Sequence, residues 1–159
     1  MFDRFGEFDS AEELNRAAAG QKIEGDLESL IILAQENGID KEDAQDYFDG
    51  ELEELVTPLV AALGKIEVEC RELKPEEIME DWVEYIKMRC AESEEMRCAV
   101  RRKGKTVKGC ISEILMWSFK NAKDVDSTIM KAAKVNAKCK LGIPGMGRAK
   151  KIITSYYTK

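Results

Sequence analysis

The sequence predicts an all-α fold, a compact bundle of about seven to nine short helices without a β-sheet. Three observations lead to this prediction. Apolar residues recur at helical spacing along most of the chain, and no segment alternates apolar and polar residues for long. Residues that can cap helices stand before the apolar runs, and glycines follow several of them. With 44% hydrophobic residues, the 159-residue chain can bury a sizeable core.

The first half of the chain predicts five helices, most of which begin at a capping residue or a proline. The first begins with the capping box Ser10–Glu13, and the third ends at Gly50. The fourth contains Pro58, which either kinks it or starts a new helix capped by Thr57. The predicted helices cover residues 10–20, 26–37, 40–50, 51–70 and the segment from 75 onward.

The second half predicts four more helices, with caps at Ser93, Thr106 and Asp126 for the first three. These three cover residues 93–103, 106–119 and 126–137. The loop 138–146 then leads into a last helix that ends at the two tyrosines 156–157. The helix after Thr106 is the most apolar one, and its expected inner face consists of Val107, Cys110, Ile111, Ile114, Leu115, Ser118 and Phe119.

Charge divides the chain into two very different halves. Residues 1–96 hold 28 Asp or Glu and 9 Lys or Arg, a net charge of −19. Residues 97–159 hold 3 acidic and 16 basic residues, a net charge of +13. Such asymmetry indicates charged macromolecular partners. The alternative is that the two halves face each other or pair head to tail between copies. We therefore expect an acidic helical lobe over residues 1–96 and a basic helical lobe over residues 97–159, joined in one continuous fold.

Residue usage excludes several classes of enzyme. The chain has no histidine, which removes Ser-His-Asp and Cys-His catalysis and every zinc site that needs histidine. Its five cysteines include no Cys-x-x-Cys pair, and they are expected to be reduced core residues. The prediction is a non-enzymatic protein without catalytic residues, metal or cofactor.

The expected location is the cytoplasm. No apolar run approaches the ~18 residues that a membrane-spanning helix needs, so no membrane contact is predicted. The first residues are acidic and mixed, unlike a signal peptide.

Two basic segments are candidate contacts for nucleic acid or an acidic partner. One lies between two predicted helices, and the other surrounds the Gly-Pro-Gly sequence before the last helix. Their candidate residues are Arg101, Arg102, Lys103, Lys105, Lys108, Lys138, Lys140, Arg148, Lys150 and Lys151. Solvated or purely structural turns are the alternative interpretation. Of the aromatic residues, only Tyr156 and Tyr157 are expected close to these basic side chains, so sequence-specific reading of a single strand is not expected.

The glycine-rich sequence before the last helix resembles two phosphate-contacting motifs. Gly142 and Gly147 have P-loop spacing, but Arg148 and Ala149 replace the lysine and the hydroxyl residue, so an NTPase is rejected. The segment Pro144–Gly147 resembles the hairpin of helix-hairpin-helix DNA-binding proteins. Glycines there would let backbone N–H groups approach a phosphate at a helix N-terminus.

An acidic segment in the first half is the candidate contact for a basic partner. Its carboxylates are Asp40, Glu42, Asp43, Asp46, Asp49, Glu51, Glu53 and Glu54. Carboxylates on successive short helices can imitate the phosphates of a duplex. A solvated acidic face is the alternative. The spacing does not follow that of a calcium-binding loop.

A family resemblance rests on residues 82–133. The sequences Trp82–Ile86, Cys90–Met96, Lys105–Ile111, Glu113-Ile114 and Asp126–Ala133 resemble the PcfK-like family. These are small accessory proteins of conjugative plasmids, phages and integrative elements of Gram-positive bacteria, and at least one inhibits a type II CRISPR nuclease. The resemblance implies no catalytic residues. The acidic tail typical of that family is absent, and the basic Gly-Pro-Gly segment stands there instead.

Three functions follow as hypotheses. The first is an inhibitor of an RNA-guided CRISPR nuclease that occupies its nucleic-acid-binding surface, with the nuclease or its guide RNA complex as partner. The second is a nucleic-acid-binding accessory factor of conjugation or replication that uses the basic half. The third is an assembly protein whose halves pair between copies, so a homo-oligomer stays open. The first is favoured because of the family resemblance.

Overall fold

Nine helices and one very short β-ladder make up the computed structural model, which describes residues 1–159. The helices are α1 (Ala11–Glu24), α2 (Leu27–Glu36), α3 (Lys41–Asp49), α4 (Pro58–Leu73), α5 (Ile78–Glu92), α6 (Glu94–Arg101), α7 (Val107–Asn121), α8 (Ser127–Ala132) and α9 (Met146–Thr158). The strands are β1 (Lys123–Asp124) and β2 (Lys140–Leu141), which pair antiparallel. The predicted all-α class is therefore confirmed.

Local capping explains where most helices begin. The side chains of Ser10, Asp26, Thr57, Ser93 and Thr106 each accept a hydrogen bond from the backbone N–H three residues later. These bonds satisfy backbone donors that the helix itself cannot satisfy. The second of the two alternatives for the fourth helix is confirmed, since α4 starts at Pro58 behind its Thr57 cap.

The buried apolar residues form two clusters that meet in α4. A cluster of 12 residues lies among α1, α2, α3 and the segment before α4, and it reaches Ala61. A cluster of 15 residues starts at Ala62 and lies among α4, α5, α6, α7 and α9. Met96 and Ala99 on α6 both belong to this larger cluster, so the charge boundary after residue 96 falls inside it. The division into an acidic and a basic lobe stays a prediction.

A close backbone contact fixes the turn after α2 against α4. Gly38 has a left-handed φ of 71° and lies directly on Gly64. A Cβ on Gly64 would collide with the backbone oxygen of Asn37, and one on Gly38 would collide with the oxygen of Gly64. Glycine is required at both positions because any side chain would push the turn away from α4.

A buried polar network joins the N-terminal segment, α2, α4 and α6. Lys65 Nζ lies 2.5 Å from Glu7 Oε1 and donates to the backbone oxygen of Arg102 at 2.7 Å. Arg101 Nη2 donates to Asn37 Oδ1 at 2.7 Å. Because burial disfavours charge, the pKa of Lys65 is lowered and that of Arg101 falls to about 10. Arg101 therefore remains a cation at neutral pH.

The prediction of no β-sheet is wrong in one detail, the two-residue ladder of β1 with β2. The ladder closes the base of the excursion 122–143, next to a hydrogen bond from the Val125 backbone N–H to the Cys139 backbone oxygen at 3.0 Å. Strands of two residues are too short to leave a recognisable alternation in the sequence.

Several predicted helix limits also differ from the structure. Gly20 lies within α1, which ends instead at the left-handed Gly25. Residues 51–57 are not helical, although their apolar spacing suggested a helix, and α8 ends at Ala132 rather than near residue 137. Helix limits shift in this way because tertiary packing overrides weak local preferences.

Two predicted core positions on α7 face outward. Leu115 is 54% exposed and Phe119 is 78% exposed, while Val107, Cys110 and Ile114 are buried. The buried stripe of α7 is therefore narrow and ends at Ile114, because the C-terminal half of the helix extends beyond the larger cluster.

The cysteine prediction is also only partly correct. Cys90 and Cys110 are buried and Cys70 is half-buried, whereas Cys98 and Cys139 are exposed. α6 buries Met96, Ala99 and Val100, so Cys98 lies on its outer face.

Candidate partner-binding surfaces

The structure places the first basic segment in two different environments. Arg101 is buried at 1% exposure and holds the polar network together, so its prediction as a surface contact is wrong. Arg102, Lys103 and Lys108 are exposed, and Lys105 is half-buried. Arg101 is the last residue of α6, and its side chain points inward. There Asn37 accepts its hydrogen bond, and the carboxylates of Glu7 and Glu69 compensate its charge.

Tyr156 on α9 connects the two basic segments in space. Its hydroxyl accepts a hydrogen bond from the backbone N–H of Thr106 at 3.0 Å. Its backbone oxygen accepts one from Lys105 Nζ at 2.6 Å, and that ammonium lies 5.0 Å from the centre of the Tyr156 ring. Gly109 allows the approach, because a Cβ there would collide with the Tyr156 hydroxyl. The loop 102–106 is thus attached to the last helix.

A groove lies beside this junction, between α7 and α9. It has a volume of about 510 Å³, and its lining includes Trp117, Lys120, Arg148, Lys151 and Tyr156. Arg148 Cζ lies 5.7 Å from the centre of the Trp117 ring. The groove, which we call the α7–α9 groove, combines two aromatic rings with three cations. Only one carboxylate, that of Glu113, lines it.

The remaining basic candidate of α9, Lys150, does not line the groove. Its Nζ lies 5.1 Å from the centre of the Tyr85 ring on α5. The residue is exposed, so it stays a candidate contact on a different face of α9.

The chain between α7 and α9 forms an exposed basic arm, residues 122–143. No residue of the arm is buried, including those of α8. Lys138 and Lys140 lie on it, as do the exposed apolar residues Ile129 and Leu141. The arm encloses a concave pocket with a volume of about 840 Å³, and Lys131 and Lys134 also line it.

The glycine-rich segment at the end of the arm serves a structural purpose at one position. Gly142 lies against the backbone oxygen of Ser118, with no room for a Cβ. Pro144 is buried, and α9 then begins with Gly145 as its N-cap. Gly145 and Gly147 have open space around them, so their backbone remains accessible at the start of the helix.

The acidic candidates lie at the N-cap of α3, on α3 itself and in the segment 50–54, far from the arm in the chain. All are exposed except Asp43, which is half-buried. Few of them are engaged: Glu42 pairs with Lys41 at 3.8 Å, and Asp49 accepts a hydrogen bond from Gln45 at 2.8 Å. The helix α3, which carries much of this acidic surface, packs in the smaller apolar cluster. The helix α9, which lines the groove, packs in the larger one.

No arrangement for metal binding or membrane crossing is present. No group of three or more Cys, Asp or Glu side chains is placed to hold a metal ion. None of the nine helices has both the length and the apolar character that a bilayer crossing requires.

Comparisons with protein-family models, with curated proteins and with solved structures find no match for this chain. The resemblance to the PcfK-like family therefore stays a prediction.

Among the aromatic and basic residues of the α7–α9 groove, sequence reasoning missed Trp117 and Lys120. A weak signal exists, since Lys120 follows Trp117 by three residues and Lys151 follows Arg148 by the same interval. Such spacing places each pair on one helix face. Only the packing of α7 against α9 makes the two faces meet, and no local pattern encodes that contact.

Proposed function

We propose that the protein is a non-enzymatic inhibitor of an RNA-guided CRISPR nuclease that acts by occupying nucleic-acid-binding surface. The observation that carries the proposal is the presence of two exposed surfaces of opposite charge on different elements of the fold. The acidic surface lies on α3 and residues 50–54, and the basic one lies on the arm, the loop 102–106 and α9. A nuclease loaded with guide RNA offers a complement to both, a basic channel and an exposed polyanion.

The acidic surface would act on the nuclease channel. Its carboxylates are mostly free of ion pairs, so they would not have to break contacts within the protein before they meet a basic groove. Glu42 and Asp46 are four residues apart and therefore share one face of α3. They are the natural positions for a test.

A cleavage assay with a type II nuclease and its guide RNA tests the proposal. The double charge reversal Glu42→Lys with Asp46→Lys should weaken inhibition at least about tenfold, because like charges would then face the channel. The matched control Glu80→Lys with Glu84→Lys makes the same charge change on one face of α5, outside the acidic surface. Inhibition should remain within about twofold of the wild type in this control. Equal effects of both pairs, or no inhibition by the wild-type protein, would refute the proposal.

A nucleic-acid-binding accessory factor of conjugation or replication is the second candidate function. The exposed basic arm favours it, because Lys131, Lys134, Lys138 and Lys140 surround one concave surface. This candidate predicts binding to free duplex DNA that weakens steeply with salt. A gel-shift titration at two salt concentrations without any nuclease distinguishes it from inhibition.

A further inference from the structure

The α7–α9 groove contains the elements that single-stranded nucleic acid requires. Trp117 and Tyr156 line it with aromatic rings, and both side chains are half-buried. Proteins that bind single strands combine a basic track for the phosphates with aromatic rings on which unpaired bases stack. The groove volume of about 510 Å³ lies within the range of about 300–1,000 Å³ typical of ligand sites.

The three cations of the groove are free to meet a ligand. Lys120, Arg148 and Lys151 are exposed, and none of them takes part in a side-chain hydrogen bond or an ion pair. The Arg148 guanidinium instead lies 5.7 Å from the centre of the Trp117 ring. A guanidinium that is only stacked on a ring can turn to a phosphate at little cost, while the ring becomes accessible to a base.

The position of Tyr156 makes the aromatic lining rigid. The hydrogen bond from Thr106 and the contact with Lys105 hold the residue from the side of the loop 102–106. Tyr157 packs against it edge to face, with ring centres 4.9 Å apart, and is itself fully buried. A ring that is already fixed loses little conformational entropy when a base stacks on it.

We propose that the α7–α9 groove binds unpaired nucleotides of a single-stranded nucleic acid. Bases stack on Trp117 and Tyr156, and phosphates contact Lys120, Arg148 and Lys151. Duplex DNA does not fit this description, because its bases are stacked on each other and cannot reach the rings. The inference goes beyond the proposed function, since it requires no nuclease.

Tryptophan fluorescence gives a direct readout of this contact. The chain has two tryptophans, and Trp82 is buried in the larger cluster, so only Trp117 can meet a ligand. Unlabelled oligo(dT) or oligo(U) is titrated into the full-length protein at low salt. We expect quenching by the single strand and none by a duplex of equal charge. Trp117→Phe should abolish the quenching, because only the buried Trp82 then fluoresces. Absence of quenching in the wild type, or equal quenching by duplex, would overturn the proposal.

Charge variants test the phosphate contacts. The affinity of each variant for a fluorescently labelled single strand is measured by fluorescence polarisation. Arg148→Ala with Lys151→Ala should weaken binding at least about tenfold, whereas Lys131→Ala with Lys134→Ala on the arm should weaken it less than about threefold. Both pairs remove two positive charges from exposed positions of the basic half. Glu113→Gln should tighten binding, because it removes the one carboxylate that lines the groove. Equal losses for the two alanine pairs would show diffuse charge attraction and overturn the proposal.

The outcomes separate this inference from the proposed function. If single strands quench the fluorescence of Trp117 but the protein inhibits no nuclease, the groove proposal stands and the inhibitor proposal is refuted. If the protein inhibits a nuclease but single strands leave the fluorescence of Trp117 unchanged, the proposal that the groove binds single strands is refuted.

Discussion

Arg101 shows how one residue can be misread from composition alone. Arg102 and Lys103, which follow it in the sequence, are exposed cations, yet its own guanidinium is buried and lies 5.8 Å from the centre of the Phe2 ring. Only Nη2 has a hydrogen-bond partner, while Nε and Nη1 have none. A buried charge with incomplete hydrogen bonding is stable only if nearby carboxylates compensate it, and Glu7 and Glu69 do so here.

The variant Arg101→Glu should therefore unfold the protein far more easily than Arg102→Glu. The first places a carboxylate beside Glu7 and Glu69 and should lower the free energy of unfolding by about 3–5 kcal/mol. The second changes an exposed side chain and should cost less than about 0.5 kcal/mol. Thermal unfolding monitored by circular dichroism measures both. Similar melting temperatures for the two variants would contradict the buried network.

The buried thiols predict a fall in stability at alkaline pH. Burial raises the pKa of Cys90 and Cys110 to about 12, from an ordinary 9.0. Above pH 9 the unfolded chain loses these protons while the folded protein keeps them, so stability decreases as pH rises. The limit is about 1.4 kcal/mol per pH unit for each thiol.

Urea unfolding at pH 8, 9 and 10, compared between the wild type and Cys90→Ala with Cys110→Ala, isolates this contribution, since about one proton per thiol is linked to unfolding. We expect a shallower pH dependence in the variant. Identical slopes would show that the two thiols are accessible to solvent in the folded protein.

At the scale of elements, the sequence predicted where most helices begin. It did not predict how far along each helix the buried face extends. A cap such as Thr106 acts on a backbone donor three residues away, so the sequence contains the whole interaction. The exposure of Phe119 depends on where the larger cluster ends, which only the packed fold determines. For the same reason the candidate cations were identified as a group, but the groove that Trp117 forms with them was not.

The arm should be dispensable for folding. Because no residue of the arm is buried, replacing residues 125–139 by Asn-Gly leaves both clusters intact. The pair Asp124 and Lys140 is opposed in the ladder, as a two-residue hairpin turn requires. We expect the melting temperature to change by less than about 3 °C. A large loss of stability would show that the arm contributes to the core.

At the scale of the whole molecule, the modest total charge of −6 hides two strongly charged halves. Elements of both halves nonetheless share one large apolar cluster, to which α4 and α5 contribute from the acidic half and α7 and α9 from the basic half, while α6 spans the boundary. The acidic surface packs on the smaller cluster, which adjoins the large one at Ala61 and Ala62 of α4. A partner could engage both at once, and such binding would depend on ionic strength.

A gel-shift titration at near-physiological salt is the decisive experiment for the inhibitor proposal. The purified protein is added to a guide-loaded type II CRISPR nuclease and, separately, to duplex DNA. An inhibitor that occupies the nuclease should shift the nuclease complex at concentrations that leave free duplex unbound. Binding to duplex alone, with no shift of the nuclease complex, would contradict the proposal and favour the accessory factor.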